Sequence, residues 1–189
     1  MSVDPGPDGW FRVRVPVRFR DIDAMGHAHH TLPLVYLEEA RALFWRGIRD
    51  GATDLASIDY VMAEVTLRFH ARILFPSTVT VGLAVRTVGR SSFRTDFEVR
   101  DDAGVLLSSG SAVQVAFDYG TAQSKPLSAA DRTRLEMWRD AVHAADVASA
   151  DAEDAANADA ASPADGTARA QASTVAMSAD TSPIPPPST

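Results

Sequence analysis

The order of the predicted secondary-structure elements along the sequence most constrains the fold. One segment of alternating apolar and polar residues comes first, then one helical segment, then four strand-like segments. Apolar and polar side chains alternate strictly over residues 11–20, which is typical of a strand with one buried face. Pro16 has no N–H to donate, so it favours an edge position for that strand. Helical spacing of apolar residues then predicts a helix over residues 31–48, with Pro33 in its first turn. The further strands are predicted over residues 60–69, 78–88, 93–100 and 105–117.

The connections between these later strands are short and carry turn residues, so the sheet is predicted to be antiparallel. One helix among antiparallel strands gives an α+β fold in which the sheet wraps around the long helix. The apolar face expected to be buried consists of Leu34, Leu37, Ala40, Leu43 and Phe44. A curved sheet of this kind leaves an edge unpaired, so edge pairing into a homodimer or homotetramer is expected.

The end of the chain changes in composition. Ser128 to Asp131 is typical of a helix start, and it predicts a short second helix. From Val147 onward the sequence is rich in Ala, Asp, Ser and Pro, with six acidic residues against the single base Arg169. That composition predicts disorder. We therefore expect a flexible N-terminus (1–9), one domain (10–146) and a disordered tail (147–189).

Charge and composition exclude several classes of function. The formal charge of −7 is concentrated in the tail, and the predicted domain has no cluster of Lys or Arg. We therefore expect neither nucleic acid nor a membrane as a partner. The chain has no cysteine, which excludes a disulfide, a thiolate nucleophile and a Cys-ligated zinc. The N-terminal residues do not resemble a signal peptide, so a cytoplasmic protein is expected.

Chemically active residues concentrate in the loop between the first strand and the helix. Residues 20–30 contain two acids, three histidines and a glycine. The free N–H groups and the positive dipole end of a helix start can polarise a carbonyl or stabilise an oxyanion. A nearby carboxylate can act as a general base or as a nucleophile toward that carbonyl.

These residues resemble a known family. The segment Asp21-Ile22-Asp23-Ala24-Met25-Gly26-His27, followed by Tyr36-Leu37-Glu38-Glu39-Ala40-Arg41, is similar to the signature of the 4-hydroxybenzoyl-CoA thioesterase family of hotdog proteins, including its YbgC-like acyl-CoA thioesterases. The resemblance covers roughly residues 10–140 and includes the turn Gly89-Arg90-Ser91-Ser92. It implies a hotdog fold and hydrolysis of an acyl-CoA or acyl carrier protein thioester.

The resemblance implies roles for individual residues. Asp23, the second acid of the motif, corresponds to the catalytic carboxylate. His30, seven residues later, is implied to direct its backbone N–H at the thioester carbonyl. Gly26 matches the glycine that lets the loop pass close to the substrate. We assign further substrate contacts to His27, His29 and Thr31 in the loop, and to Arg90 and Ser91 in the later turn.

Other acids and the histidines have alternative interpretations. Asp21 is expected to be a structural loop acid that caps backbone N–H groups or pairs with Arg20. Glu38 and Glu39 on the helix are the fallback catalytic acids, and Glu64 is expected to be exposed. Histidines 27, 29 and 30 lack a further acid or cysteine at ligand spacing, so no metal is expected. No organic cofactor is implied either, because coenzyme A is part of the substrate.

Two other functions stay open from the sequence. A hotdog hydratase or dehydratase needs an Asp and a His paired for proton transfer, which Asp23 and His30 could imitate. A non-catalytic module that binds acyl-CoA is the other alternative. The arginines at positions 72, 90 and 94 are candidates for contacts with CoA phosphates, of which Arg90 is favoured.

Overall fold

The computed structural model describes residues 4–49 and 59–160, with side chains described up to residue 153. It contains six strands, two α-helices and one turn of 3-10 helix. The strands are β1 (Phe11–Pro16), β2 (Tyr60–Phe69), β3 (Thr78–Val88), β4 (Ser92–Arg100), β5 (Leu106–Asp118) and β6 (Gln123–Ser124). The helices are the 3-10 helix (Phe19–Asp21), α1 (Leu32–Ile48) and α2 (Ala129–Ala160).

The strands form one antiparallel sheet in the order β1-β3-β4-β5-β2, with β6 paired to β5. The prediction of an antiparallel sheet is therefore confirmed, and so is the edge position of β1. The other edge is the ten-residue strand β2, which pairs with β5 on one side, with a register shift between Met62 and Glu64. The hairpin between β4 and β5 turns at Gly104, which adopts a positive φ of 82°. The carboxylate of Asp101 accepts the N–H groups of Ala103 and Val105 there.

The core lies between the sheet and both helices. From α1 it receives Leu37, Ala40 and Phe44, as predicted, together with Trp45. The prediction that Leu43 belongs to this buried face is wrong, because Leu43 is exposed. The other helix contributes Leu135 and Trp138.

The indole of Trp138 packs edge-on against Phe44 and Phe11, with ring centroids 5.2 and 6.1 Å apart. An antiparallel sheet with helices packed on it is the α+β architecture expected of a hotdog protein. However, α1 does not fill the core alone.

The second helix is longer than predicted. It continues past Val147 to Ala160, so the description of a short terminal helix is wrong, and residues 147–160 do have secondary structure. Alanine has the highest helix propensity, which lets this segment stay helical without burying side chains. Residues 147–153 are exposed, in keeping with their lack of large apolar groups. The predicted disorder of residues 161–189 lies outside the described residues.

The N-terminal segment is also more ordered than predicted. Gly9 donates its N–H to the carbonyl of Gly6 and is buried, with a positive φ of 72°. A Cβ at Gly9 would lie 2.4 Å from the backbone nitrogen of Val142 in α2. This close approach requires glycine. Gly9 is thus packed against α2, although it falls in the segment predicted to be flexible.

Candidate active site

The loop that carries the acids begins where β1 stops pairing. Pro16 is the last residue of β1 paired with β3, opposite Thr78, and the chain then turns into the 3-10 helix. The alternation of apolar residues over 11–20 predicted that Phe19 faces the core. Instead, Phe19 is 80% exposed, because the extended strand has already ended. It packs edge-on against Phe75, with ring centroids 5.9 Å apart.

Asp21 fixes the path of the loop. Its buried carboxylate accepts the Arg18 N–H at 2.8 Å and the Tyr36 hydroxyl at 2.9 Å. The carbonyl of Asp21 accepts the N–H of His29 at 2.9 Å. Burial, together with the hydrogen bond to Asp21, raises the pKa of Tyr36 above its ordinary value, so this phenol stays protonated as a donor. The prediction that Asp21 caps backbone N–H groups is confirmed.

Asp23 lies in a tight turn two residues later. Its Oδ1 accepts the N–H of Met25 at 2.8 Å, and its carbonyl accepts the N–H of Gly26 at 3.1 Å. Gly26 has a positive φ of 79°, a backbone conformation that residues other than glycine adopt only at a cost in free energy. Oδ2 of Asp23 lies 3.8 Å from Nδ1 of His27. The turn therefore holds one carboxylate oxygen and leaves the other beside a histidine.

The N-terminus of α1 follows directly. Thr31 is the N-cap residue, but its hydroxyl contacts Nδ1 of His29 at 2.9 Å and does not cap the helix. The first turn contains no acidic residue. In the described part of the chain, the N–H of His30 donates no hydrogen bond. The positive end of this helix therefore keeps both its dipole and a free donor.

A cleft of about 380 Å³ brings these groups together. Asp23, His27 and His30 line it from the loop and the helix start. The segment that follows β2 forms another part of the lining. It is joined to the loop by a hydrogen bond in which the Ala28 N–H donates to the carbonyl of Ile73 at 2.8 Å. The remaining lining residues are Met25, Ala28, Pro33, Phe69, His70, Ala71, Arg72, Ile73, Leu107 and Ser108.

The other predicted binding residues do not line this cleft. Gly26, His29 and Thr31 belong to the same loop and helix start but lie outside its lining. The turn with Arg90 and Ser91 is at the far end of the sheet. A strand advances about 3.3 Å per residue, so Val115, which pairs with Ser92, is roughly 23 Å from Ser108 along β5. Within one chain, Arg90 and Ser91 therefore lie outside the lining of the cleft that contains Asp23.

The fallback acids also lie elsewhere. Glu38 pairs with Arg41, three residues further along α1, and Glu39 pairs with Arg18 at 3.1 Å. Glu64 is exposed on β2, in agreement with the interpretation made from the sequence. None of these three carboxylates lines the cleft.

Three polar lining residues were not favoured from the sequence. Arg72 lines the cleft, although Arg90 was the preferred phosphate contact. His70 lines it beside Arg72, and its Nε2 contacts the hydroxyl of Ser109 at 2.9 Å. Ser108 is buried on β5 and went unnoticed. The only sequence signal for Ser108 is its position on the face of the predicted strand that otherwise points into the core.

The described residues show neither a grouping of side chains suited to a metal ion nor a helix suited to cross a membrane. Across residues 4–49 and 59–160, no three His, Asp or Glu side chains are grouped so that they could hold a metal ion. In that same part of the chain, neither helix combines the length and apolar character needed to cross a bilayer.

Comparison with known proteins identifies the family. The profile of the thioesterase-like superfamily matches residues 17–187. The chain therefore belongs to the thioesterase-like superfamily, as its sequence motif indicated. A comparison with curated proteins gives no match.

Solved structures agree with this assignment. A thioesterase from Thermus thermophilus, complexed with coenzyme A and Zn, is 31% identical, with a TM-score of 0.62 over 70% of this chain and 96% of that one. A protein from Xanthomonas campestris named as a candidate acyl-CoA thioesterase is 32% identical, with a TM-score of 0.55 over 62% and 98%. A 1,4-dihydroxy-2-naphthoyl-CoA thioesterase from Synechocystis, 19% identical, shares the fold with a TM-score of 0.59 over 67% and 95%.

Proposed function

We propose that this protein hydrolyses an acyl-CoA thioester in the cleft at the start of α1, with Asp23 as the catalytic carboxylate. The observation that carries this proposal is the pairing of two groups in one cleft. They are Asp23 and His30, which both line the cleft; the backbone N–H of His30 makes no hydrogen bond within the described residues, and no side chain caps the helix start. A thioester carbonyl placed between them has a base or nucleophile on its carbon and a donor on its oxygen.

The helix start supplies the electrostatic part of the mechanism. Negative charge develops on the carbonyl oxygen when the carbon is attacked. The N–H of His30 and the dipole of α1 stabilise that charge, and no acidic side chain in the first turn opposes them. Catalysis needs this stabilisation only in the transition state, because the ground-state carbonyl carries little charge.

Asp23 acts by one of two routes. As a general base it removes a proton from water while the water oxygen bonds to the carbonyl carbon, and the C–S bond then breaks. As a nucleophile it forms a mixed anhydride and expels the thiolate, and water then cleaves the anhydride. In either route the thiolate leaves without a strong general acid and takes up a proton. His27, 3.8 Å from Asp23, is placed to balance the carboxylate charge when protonated.

The carrier that fits best is coenzyme A, which the Thermus thermophilus structure contains. Arg72 and His70 at the cleft are the candidates for its phosphates, since a guanidinium pairs well with phosphate. An acyl carrier protein presents the same phosphopantetheine thioester. The proposal needs no metal, and it places the enzyme in the cytoplasm, where acyl-CoA substrates occur.

The edge of the sheet supports a homo-oligomer. The backbone of β2 pairs with β5 on one side, so its other edge is available to a second copy of the chain. Pairing of two β2 strands would create a homodimer and bring new residues to the cleft, since Phe69 at the end of β2 lines it. Such a dimer could also supply Arg90 and Ser91 from the partner.

The test is release of free thiol from a panel of acyl-CoA thioesters of different chain length and aromaticity. Asp23→Asn should lower kcat by roughly two to four orders of magnitude and keep the fold, because it removes the base or nucleophile but preserves size. Asp21→Asn is the matched control from the same loop. It should lower the melting temperature and reduce turnover less, because Asp21 holds Arg18 and Tyr36.

Other results would overturn the proposal. Near-normal hydrolysis by Asp23→Asn would show that the carboxylate is misassigned. Binding of acyl-CoA without thiol release by the wild type would favour a non-catalytic module. Hydration of an enoyl-CoA without thiol release would instead indicate a hydratase.

A further inference from the structure

His29 makes two contacts that the hydrolysis described above does not use. Its Nδ1 contacts the hydroxyl of Thr31 at 2.9 Å and accepts the backbone N–H of Thr31 at 3.4 Å. Its ring packs against the ring of His30, with centroids 4.0 Å apart and planes tilted by 40°. His30 lines the cleft that contains Asp23, whereas His29 and Thr31 do not. The side chain of His29 is therefore placed to act on the cleft through its neighbours.

The backbone of His29 is fixed on both sides. Its N–H donates to the carbonyl of Asp21 at 2.9 Å, and its carbonyl accepts the N–H of Leu32 at 2.8 Å. Asp21 is itself buried and accepts the hydroxyl of Tyr36. The loop on one side and α1 on the other thus set the position from which the imidazole of His29 extends.

The start of α1 leaves one backbone donor unused. Pro33 has no N–H, and the next two N–H groups donate to the carbonyl of Thr31 at 3.1 and 3.4 Å. The N–H of Thr31 is the one that His29 accepts. Of residues 30–35, only His30 then has an N–H without an acceptor in the described part of the chain. By accepting the neighbouring N–H, His29 leaves residue 30 as the donor available to a bound carbonyl.

The conformation of Thr31 indicates what the contact with His29 prevents. Thr31 is the N-cap residue of α1, yet its φ of −81° and ψ of −16° are helical. An N-cap threonine is usually extended, and its hydroxyl accepts an N–H from the first turn of the helix. Here the hydroxyl contacts His29 instead. Without that contact Thr31 is free to take the extended form, which would turn the peptide group that joins it to His30 and move His30 relative to Asp23.

We infer that His29 is a positioning residue for the hydrolysis, whose Nδ1 holds Thr31 and thereby fixes His30 at the place in the cleft where the thioester carbonyl binds. This inference rests on the proposed function, and it gives His29 and Thr31 a role other than the substrate contacts expected from the sequence. Stabilisation of an oxyanion acts in the transition state, so loss of this positioning should lower kcat and leave KM nearly unchanged.

Two substitutions at each position separate the hydrogen bond from the other properties of the side chains. His29→Phe keeps a ring against His30 but has no acceptor, and Thr31→Val keeps the shape but has no hydroxyl. Each should lower kcat, measured by thiol release from acyl-CoA, by about tenfold with KM within about twofold of the wild type. His29→Asn supplies an acceptor through Oδ1, and Thr31→Ser supplies a hydroxyl, so both should keep most of the wild-type kcat.

A double-mutant cycle tests the link between the two residues. Because His29→Phe and Thr31→Val remove the same hydrogen bond, the double variant should lose no more kcat than either single variant. His143→Phe, the same replacement at an exposed histidine of α2, is the control and should keep the wild-type kcat. Multiplied losses in the double variant would refute the inference. A rise in KM with kcat unchanged would refute it too, since that result is expected of a direct substrate contact.

A second measurement does not depend on catalysis. The nitrogen NMR resonance of His29 Nδ1 should be that of a hydrogen-bonded acceptor in the wild type and in Thr31→Ser, and it should move by several parts per million in Thr31→Val. An unchanged resonance in Thr31→Val would show that the bond is absent and would overturn the inference. If the wild type releases no thiol from any thioester, the proposed function fails and this role fails with it. If the wild type is active and His29→Phe keeps its kcat, only the role of His29 is refuted.

Discussion

Replacement of Asp131 by Asn should destabilise the protein strongly, although Asp131 is far from the cleft in sequence. Oδ1 of Asp131 accepts Nε of Arg49 at 2.9 Å, and Oδ2 accepts Nη2 at 2.6 Å. Oδ2 also accepts the hydroxyl of Tyr60 at 3.0 Å. The guanidinium of Arg49 stacks over Trp45, 4.8 Å from its ring. The carboxylate therefore joins the end of α1, the start of β2 and the first turn of α2.

The magnitude follows from burial. The Asp131 side chain is 8% exposed, and loss of one partner of a fully buried ion pair costs about 3–5 kcal/mol. After the substitution, Arg49 is still partly exposed to solvent and still has a second acid, Asp59, at 3.6 Å. The expected loss of unfolding free energy is therefore nearer 2–3 kcal/mol, which corresponds to ~5–10 °C in melting temperature. Asp140→Asn is the matched control on the same helix. Asp140 is 65% exposed and pairs with Arg139, so its loss should cost ~0.5 kcal/mol or less.

The effect should depend on pH with a definite sign. Burial by itself raises the pKa of Asp131, but the hydrogen bonds and charge of Arg49 outweigh it and hold the pKa below the usual 3.8. A lowered pKa stabilises the fold above the pKa of the unfolded chain, and this contribution is lost as the pH falls through the lower folded value. Urea unfolding at neutral pH and at several values below 4 measures it. The reasoning is refuted if the gap between wild type and Asp131→Asn stays constant in acid, or if Asp140→Asn costs as much.

Three further outcomes are expected. Gly110→Ala should lower the melting temperature by at least 5 °C, or about 2 kcal/mol, because its Cβ would lie 1.9 Å from the carbonyl oxygen of Thr66; an unchanged melting curve would contradict this. Removal of residues from 147 onward should leave thiol release and melting nearly unchanged, because residues 147–153 are exposed; a large drop would show that the segment docks. Arg72→Ala should raise KM for acyl-CoA several-fold, and Arg90→Ala should not, unless a partner subunit supplies Arg90.

The sequence predicted the regular elements well because their patterns are local. Strands β2 and β3 have the predicted bounds, and α1 begins one residue later than predicted. Each of these segments has a clear period of 2 or 3.6 and is bounded by turn residues. The alternation at β1 gave a wrong prediction only beyond Pro16, where the strand was expected to continue. Side-chain alternation does not reveal where a strand loses its hydrogen-bonded partner.

Long-range contacts explain what the sequence left open. The segment 147–160 has the composition of a disordered tail, yet it continues α2 as a helix, in keeping with the high helix propensity of its alanines. Ser108 looks like any strand serine until the cleft is seen behind it. Arg72 and Arg90 are equivalent as surface arginines in sequence, and only the sheet register separates their positions. Such distinctions depend on residues that are distant in the chain.

The two acids of the loop show how one residue type acquires two roles. Asp21 is buried, and its carboxylate is held by Arg18 and Tyr36, so it orders the loop and has little capacity left for chemistry. Asp23 has one oxygen held by Met25 and the other beside His27 at the cleft. The bonds of Asp21 fix where the turn begins, and the Ala28 N–H, which donates to Ile73, fixes where it returns to the sheet. Asp23 is thereby positioned by its neighbours and keeps one carboxylate oxygen without a backbone donor, which fits the catalytic role proposed for it.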